Sequence, residues 1–131
     1  MNRKILSGPP LNYTTNSSLG QFFFESAERF GNRLCQIDPK CNKKEIFSSV
    51  KKKSVTIALG LRKKGITSQD LIVTCSTVTL DTAIPILASF YLGAKVANLD
   101  VTLSRRQIKH LLSLVSPSVI FVEEPSLSLI E

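Results

Sequence analysis

Three short apolar runs constrain this chain more than any other feature. They occupy residues 70–75, 95–99 and 118–122 and recur about every 25 residues. The first, Asp-Leu-Ile-Val-Thr-Cys, is rich in β-branched residues and does not alternate with polar ones, the pattern of a strand buried on both faces. Two helical patterns separate the runs. In the first, Ala83, Ile84, Ile86, Leu87, Phe90 and Tyr91 make a helix that is apolar nearly all round, with Asp81 or Thr82 placed to cap it and Gly93 to end it. Pro85 is tolerated there only in the first turn. In the second, Ser104 and Gln107 form a capping-box pair, Ile108, Leu111, Leu112 and Val115 repeat at helical spacing, and Ser116-Pro117 stops the helix. Strand, helix, strand, helix, strand calls for parallel strands joined by right-handed crossovers. The expected fold is α/β, a partial doubly wound parallel sheet with flanking helices.

The first half carries fewer signals. Ser18 and Gln21 form a capping-box pair before Leu19, Phe22, Phe23, Ala27 and Phe30, a helix closed by Gly31. Residues 33–38 are a weak strand, Asp38-Pro39-Lys40 a turn, and Ile46-Phe47 a strand stub. Ser48 or Ser49 opens a second helix, with Val50, Ser54, Ile57, Ala58 and Leu61 on one face and Gly65 as its stop. The apolar tail of Leu127, Leu129 and Ile130 begins a pattern with nothing to pack against. Residues 1–17, with Ser7-Gly8-Pro9-Pro10 and the polar stretch after it, read as a flexible lead, and 18–131 as one incomplete α/β domain.

Composition bounds the function. At 131 residues, 43% hydrophobic and 21% charged, the chain is globular and long enough for a real core. The net charge of +7 comes from Lys43-Lys44 with Lys51 to Lys53, from Arg62-Lys63-Lys64, and from Arg105-Arg106 with Lys109. These read first as solvated helix faces and last-turn cations, and second as a surface for an anionic partner. Cys35, Cys41 and Cys75 cannot all pair with one another, no signal-peptide layout precedes them, and no apolar run reaches the ~18 residues of a membrane span. The expected compartment is reducing and intracellular, which makes the sequons at Asn12 and Asn16 chance matches.

Catalytic patterns are sparse. Residues 60–67 read G-x-x-x-x-G-I-T, like a phosphate loop but with Ile66 in place of lysine and at a helix C-terminus, where the dipole repels phosphate. His110 has no carboxylate on its helix to orient it. The cysteines lack zinc spacing, and Asp81 and Asp100 read as cap and turn residues. No residue is put forward as catalytic, cofactor-binding or metal-ligating. The aromatic residues do not interleave with basic ones, so no nucleic-acid surface is expected.

Several segments resemble the N-terminal region of the adenylate-forming (AMP-binding) superfamily, in particular luciferase-like and 4-coumarate–CoA ligase-like acyl-CoA synthetases. Leu19-Gly20-Gln21-Phe22-Phe23-Phe24 with Ala27 resembles that family's first helix, residues 54–66 its next helix, and Asp70-Leu71-Ile72-Val73 its "GDxV" strand. The most specific similarity is P-I-L-A-S-F-Y-L-G-A-K-V-A-N-L-D at 85–100, continued without a gap through 103–121. The resemblance covers about residues 18–122. It departs from the family at 41–47, where a hairpin is shortened and lysine-rich, which argues against an intact fold there.

Family members adenylate a carboxylate with ATP and pass the acyl group to coenzyme A, or oxidise the adenylate. The resemblance implies that chemistry, with ATP, Mg²⁺ and coenzyme A, for a parent protein. The family's ATP loop, adenine and ribose motifs and catalytic lysine lie beyond the matched stretch. The chain is therefore expected to be the N-terminal portion of an AMP-forming acid–thiol ligase, inactive alone, partnered by the remainder of the enzyme or a full-length relative. The alternative is a small interaction module using its basic face and sheet edge. Cytoplasmic or peroxisomal residence is expected, although Ser-Leu-Ile-Glu is not a peroxisomal C-terminal address.

Overall fold

A computed structural model describes residues 8–9 and 17–131. The segment expected to be flexible, 1–17, lies outside the described residues apart from Gly8, Pro9 and Ser17, and so do both sequon asparagines.

Strands β3 (Leu71–Cys75), β4 (Lys95–Leu99) and β5 (Val119–Val122) form one parallel sheet in the order β4-β3-β5. Ile72 is level with Val96 on one side and Val119 on the other, and Cys75 with Leu99 and Val122. Helix α3 (Ala83–Leu92) joins β3 to β4, and α4 (Arg105–Val115) joins β4 to β5. This is the expected strand–helix alternation. Alternation along β3 turns Ile72 and Thr74 to one face and Val73 and Cys75 to the other; all four are buried. Ile72 packs with Leu61 and Ala94, ringed by Ile57, Ile66, Leu92, Val119 and Phe121. α4 is seated by Ile108, which is fully buried. Its capping box is complete: Gln107 N–H donates to Ser104 Oγ, and Ser104 N–H donates to Gln107 Oε1 at 2.9 Å.

A second layer is built by α1 (Leu19–Phe30) and α2 (Phe47–Lys63), which pack on each other and on α3. α1 meets α3 closely because Gly20 has no side chain: a Cβ there would sit 2.4 Å from Phe90 O. Ser18 caps α1 through Gln21 N–H, but the reciprocal half of the expected box is replaced, since Gln21 Nε2 donates to Glu25 Oε1 at 2.9 Å. Ser54 and Ser89 are wholly buried, and each hydroxyl donates to the carbonyl four residues back, so neither is left unsatisfied.

The sequence reading needs four further corrections. The lysine-rich stretch does not abolish the hairpin: β1 (Leu34–Asp38) and β2 (Lys43–Ile46) pair antiparallel, with Asn42 left-handed (φ 51°) in the turn. Asparagine tolerates that conformation, and the lysine side chains need only reach solvent. α2 begins at Phe47, not at Ser48 or Ser49, because β2 runs directly into it and Ser49 Oγ is drawn back to Glu45 Oε1. Thr82 does not cap α3 by its side chain; its hydroxyl donates to Thr77 O and accepts from Thr79 N–H, bracing the loop before the helix. The apolar tail does find a surface, because residues Glu124–Leu129 make a 3₁₀ turn packed on α4. Pro85 falls in the first turn of α3, as its missing N–H requires. No helix among the described residues is long and apolar enough to cross a membrane.

Candidate functional site

The strand order creates a cleft. The chain leaves β3 for β4 on one side and later returns to β5 on the other, so the sheet has a switch point where β3 and β5 meet, the usual ligand position in open α/β sheets. A cavity of about 330 Å³ opens at the C-terminal ends of these strands. Ile57, Ile84, Pro85, Phe121 and Val122 supply its apolar walls, and Thr74, Ser76, Thr79, Thr82, Asp81, Glu123 and Lys53 its polar groups.

The 76–82 loop is held from two directions, the end of β5 and the hairpin side, and the strand before it is tied to β4. Glu123, at the end of β5, accepts Thr77 N–H at 2.8 Å and the Thr77 hydroxyl at 2.9 Å, and these bonds hold its carboxyl below the usual range. Thr74 donates across the strands to Asn98 Oδ1 at 2.6 Å. On the hairpin side, Glu45 is 8% exposed and accepts from Gln36 Nε2 (2.8 Å), Ser49 Oγ (2.9 Å) and Lys53 Nζ (2.7 Å). Gln36 also donates to Leu80 O, and Lys53 reaches Asp81 Oδ1 at 3.0 Å. The hairpin, α2 and the loop are therefore tied through one carboxylate.

Burial pushes the Glu45 carboxyl up, but its bonds from Lys53, Gln36 and Ser49 outweigh that and leave it below its ordinary value. A carboxyl lowered in the folded state contributes stability that is fully present above its unfolded value of about 4.3 and is lost as pH falls through the lower folded one. Glu45→Gln is expected to cost about 1–2 kcal/mol at neutral pH, since Lys53 stays half-exposed and keeps Asp81. The variant should also lose less stability than wild type as the pH falls below about 4.3. Thermal melts across pH check both, and parallel acid limbs in the two proteins would contradict the assignment.

Of the residues weighed in the sequence as catalytic or metal-binding candidates, only Asp81 joins this cleft, and Lys53 of the first basic cluster lines it too. His110 is exposed on α4, its carbonyl accepting from Ser113 Oγ at 2.7 Å. Asp100 accepts Thr102 N–H and hydroxyl, both at 2.8 Å, and is a turn residue. Cys35, Cys41 and Cys75 are free thiols, and burial pushes Cys35 and Cys75 up, away from the reactive thiolate. Residues 60–67 are a Schellman motif: Ile66 N–H donates to Leu61 O, Gly65 N–H to Arg62 O, and Gly65 is left-handed (φ 85°). Sequence reading missed Glu45, Gln36 and Glu123, and it placed Lys53 on a solvated face. The only available signal was that Glu123 follows a strand.

The fold and cleft define an open α/β protein whose polar groups gather at a sheet switch point. The chain belongs to the AMP-binding enzyme family, whose model matches residues 23–130. It is similar to luciferin 4-monooxygenase of Photuris pensylvanica, 28% identical over 123 residues, covering 91% of this chain and 23% of that protein. Among solved structures it is similar to the luciferase-like enzyme from the nonluminescent mealworm Zophobas morio, with 54% identity and a TM-score of 0.89. That match covers 98% of this chain and 31% of the other. The N-terminal domain of FACL13 from Mycobacterium tuberculosis shares the fold, at 16% identity and a TM-score of 0.80, over 86% of this chain and 28% of the other. The chain thus spans about a quarter to a third of the length of these relatives and corresponds to their N-terminal region.

Residues 60–67 do not fit a phosphate group. The phosphate-loop look-alike is a helix C-terminus with carbonyls outward, and it has no lysine at Ile66. Among the described residues no three His, Cys, Asp or Glu side chains gather as metal ligands.

Proposed function

We propose that this chain is the N-terminal platform of an AMP-forming acid–thiol ligase of the luciferase-like or 4-coumarate–CoA ligase-like type, and that alone it does not turn over. What carries this reading is the 54% identity to a luciferase-like enzyme over 98% of the chain, at 31% of that enzyme's length. The matched part supplies the sheet and its braced loop. ATP, Mg²⁺ and coenzyme A would be handled by the whole enzyme, and cytoplasmic or peroxisomal residence accompanies this reading. The test is ATP–pyrophosphate exchange by purified chain with fatty and aromatic acids. No exchange above background is expected; stoichiometric ATP binding or turnover overturns the proposal.

A second reading, an interaction module without catalysis, is favoured by β4 and β5, each of which pairs on one side only within the described sheet, and by exposed Leu111, Leu114 and Leu127. Its partner would be the rest of such an enzyme or a full-length relative. A monodisperse chain that melts cooperatively supports the module. Strong hydrophobic-dye binding and aggregation support the platform.

A further inference from the structure

A groove runs between α1 and α2 and shares no lining residue with the sheet cleft. Two adjoining cavities make it, about 450 and 240 Å³, sharing Phe24 and Val55. Together they reach from Ser48 to Arg62, fourteen residues of α2 or roughly 21 Å at helical rise. The walls are apolar: Phe24, Ala27, Val55, Ala58, Leu59 and Leu92. The rim is cationic. Lys51 lies 3.6 Å above the Phe24 ring and pairs with Glu28 at 2.6 Å. Lys52 and Arg62 are exposed, and neither side chain has a partner among the described residues. These four charges sum to +2.

The Arg62 end holds a second anomaly. Tyr91, stacked edge-on against Phe24 at 5.8 Å, lines the same 240 Å³ cavity as Arg62. Its Oη is buried with no hydrogen-bond partner among the described residues. A buried donor without an acceptor is a standing cost, and an unpaired guanidinium lining the same cavity suits a planar or tetrahedral oxyanion. The apolar walls run along α2 from Val55 to Leu59 and across to Phe24 and Leu92, a path an extended alkyl chain follows.

We propose that this groove binds a single-chain amphipathic anion, a phosphate or carboxylate head on Arg62 and Tyr91 with an alkyl tail along Phe24, Val55 and Ala27. The head accepts from the Arg62 guanidinium and, once the Tyr91 side chain turns about its Cα–Cβ bond, from the Tyr91 hydroxyl. The tail displaces water from the groove floor. The sheet cleft and its loop take no part.

Calorimetric titration of the full chain with decyl phosphate tests this. Saturable 1:1 binding is expected, tightening at least about twofold per methylene from hexyl to decyl phosphate, with decylamine at least tenfold weaker. Arg62→Gln should weaken binding about fivefold or more. Tyr91→Phe should weaken it severalfold yet raise the melting temperature of the free protein, since it removes the orphaned hydroxyl; a role in packing alone would not produce both. Val55→Trp fills the groove and should abolish binding. Leu59→Glu, at an exposed position on the mouth, should do the same by repulsion without disturbing the core. Sedimentation with anionic phospholipid vesicles separates the sources: capture abolished by Val55→Trp assigns the head to a bilayer lipid, and no capture assigns it to a free amphiphile. Equal binding of decylamine, or binding to decyl phosphate or to vesicles that survives Val55→Trp and Leu59→Glu, overturns the proposal.

Discussion

Gly20→Ala is expected to destabilise the fold by about 3 kcal/mol, the upper end for overpacking. One methyl group does this because of what it meets. The added Cβ would lie 2.4 Å from Phe90 O, 2.6 Å from Phe90 C and 2.9 Å from Tyr91 N. All three are backbone atoms of α3, so no side chain can rotate out of the way. Relief requires α1 to lift from α3, which opens the contact holding the second layer on the first. For a chain of this length the melting temperature should fall by on the order of 10 °C, readable by circular dichroism. Amide exchange in α1 should lose protection before β3 does. A shift within about 1 °C would show that the helices do not approach as described. Gly60→Ala is the control, since nothing lies within 4 Å of a Cβ there.

Ile72→Ala should cost about 3–4 kcal/mol. The Ile72 side chain has no exposed surface and packs with both Leu61 of α2 and Ala94 just before β4, with β4 and β5 level on either side. Deletion loses the transfer energy of three carbons and leaves a cavity that strands paired on both sides cannot close. Leu114→Ala, at a residue 67% exposed, should change stability by less than about 0.5 kcal/mol. Denaturant midpoints of the two variants make the comparison. Similar midpoints would place the core elsewhere.

The sequence exposed the parts of this protein in which local chemistry and tertiary role coincide. β3 is buried on both faces and looks it, and α4 carries its cap, its stop and its anchor Ile108 within a dozen residues. Reading failed where a residue's partner lies on another element. Lys53 belongs to a run of lysines that suggests solvent, and nothing nearby reveals that Glu45 turns inward to meet it. β2, Lys-Lys-Glu-Ile, lacks the composition of a strand and exists because β1 is beside it. The 3₁₀ turn after β5 depends on α4 for its surface. The sheet cleft was legible as a location, since strand ends mark it, but the bonds from Glu123 and Gln36 that hold its loop span 46 and 44 residues of chain and leave no local trace.

The first strand of the parallel sheet in the chain is also its middle one. As a ribosome releases this polypeptide N-terminal end first, β3 emerges with α2 already available to cover Ile72 on one of its faces. β4 then needs to search back across only 24 residues, and β5 across 47, each to a flank that is already laid down. Neither late arrival must pry apart an earlier pairing. The nascent chain can grow its sheet outward in both directions from a template, and synthesis order and assembly order run the same way.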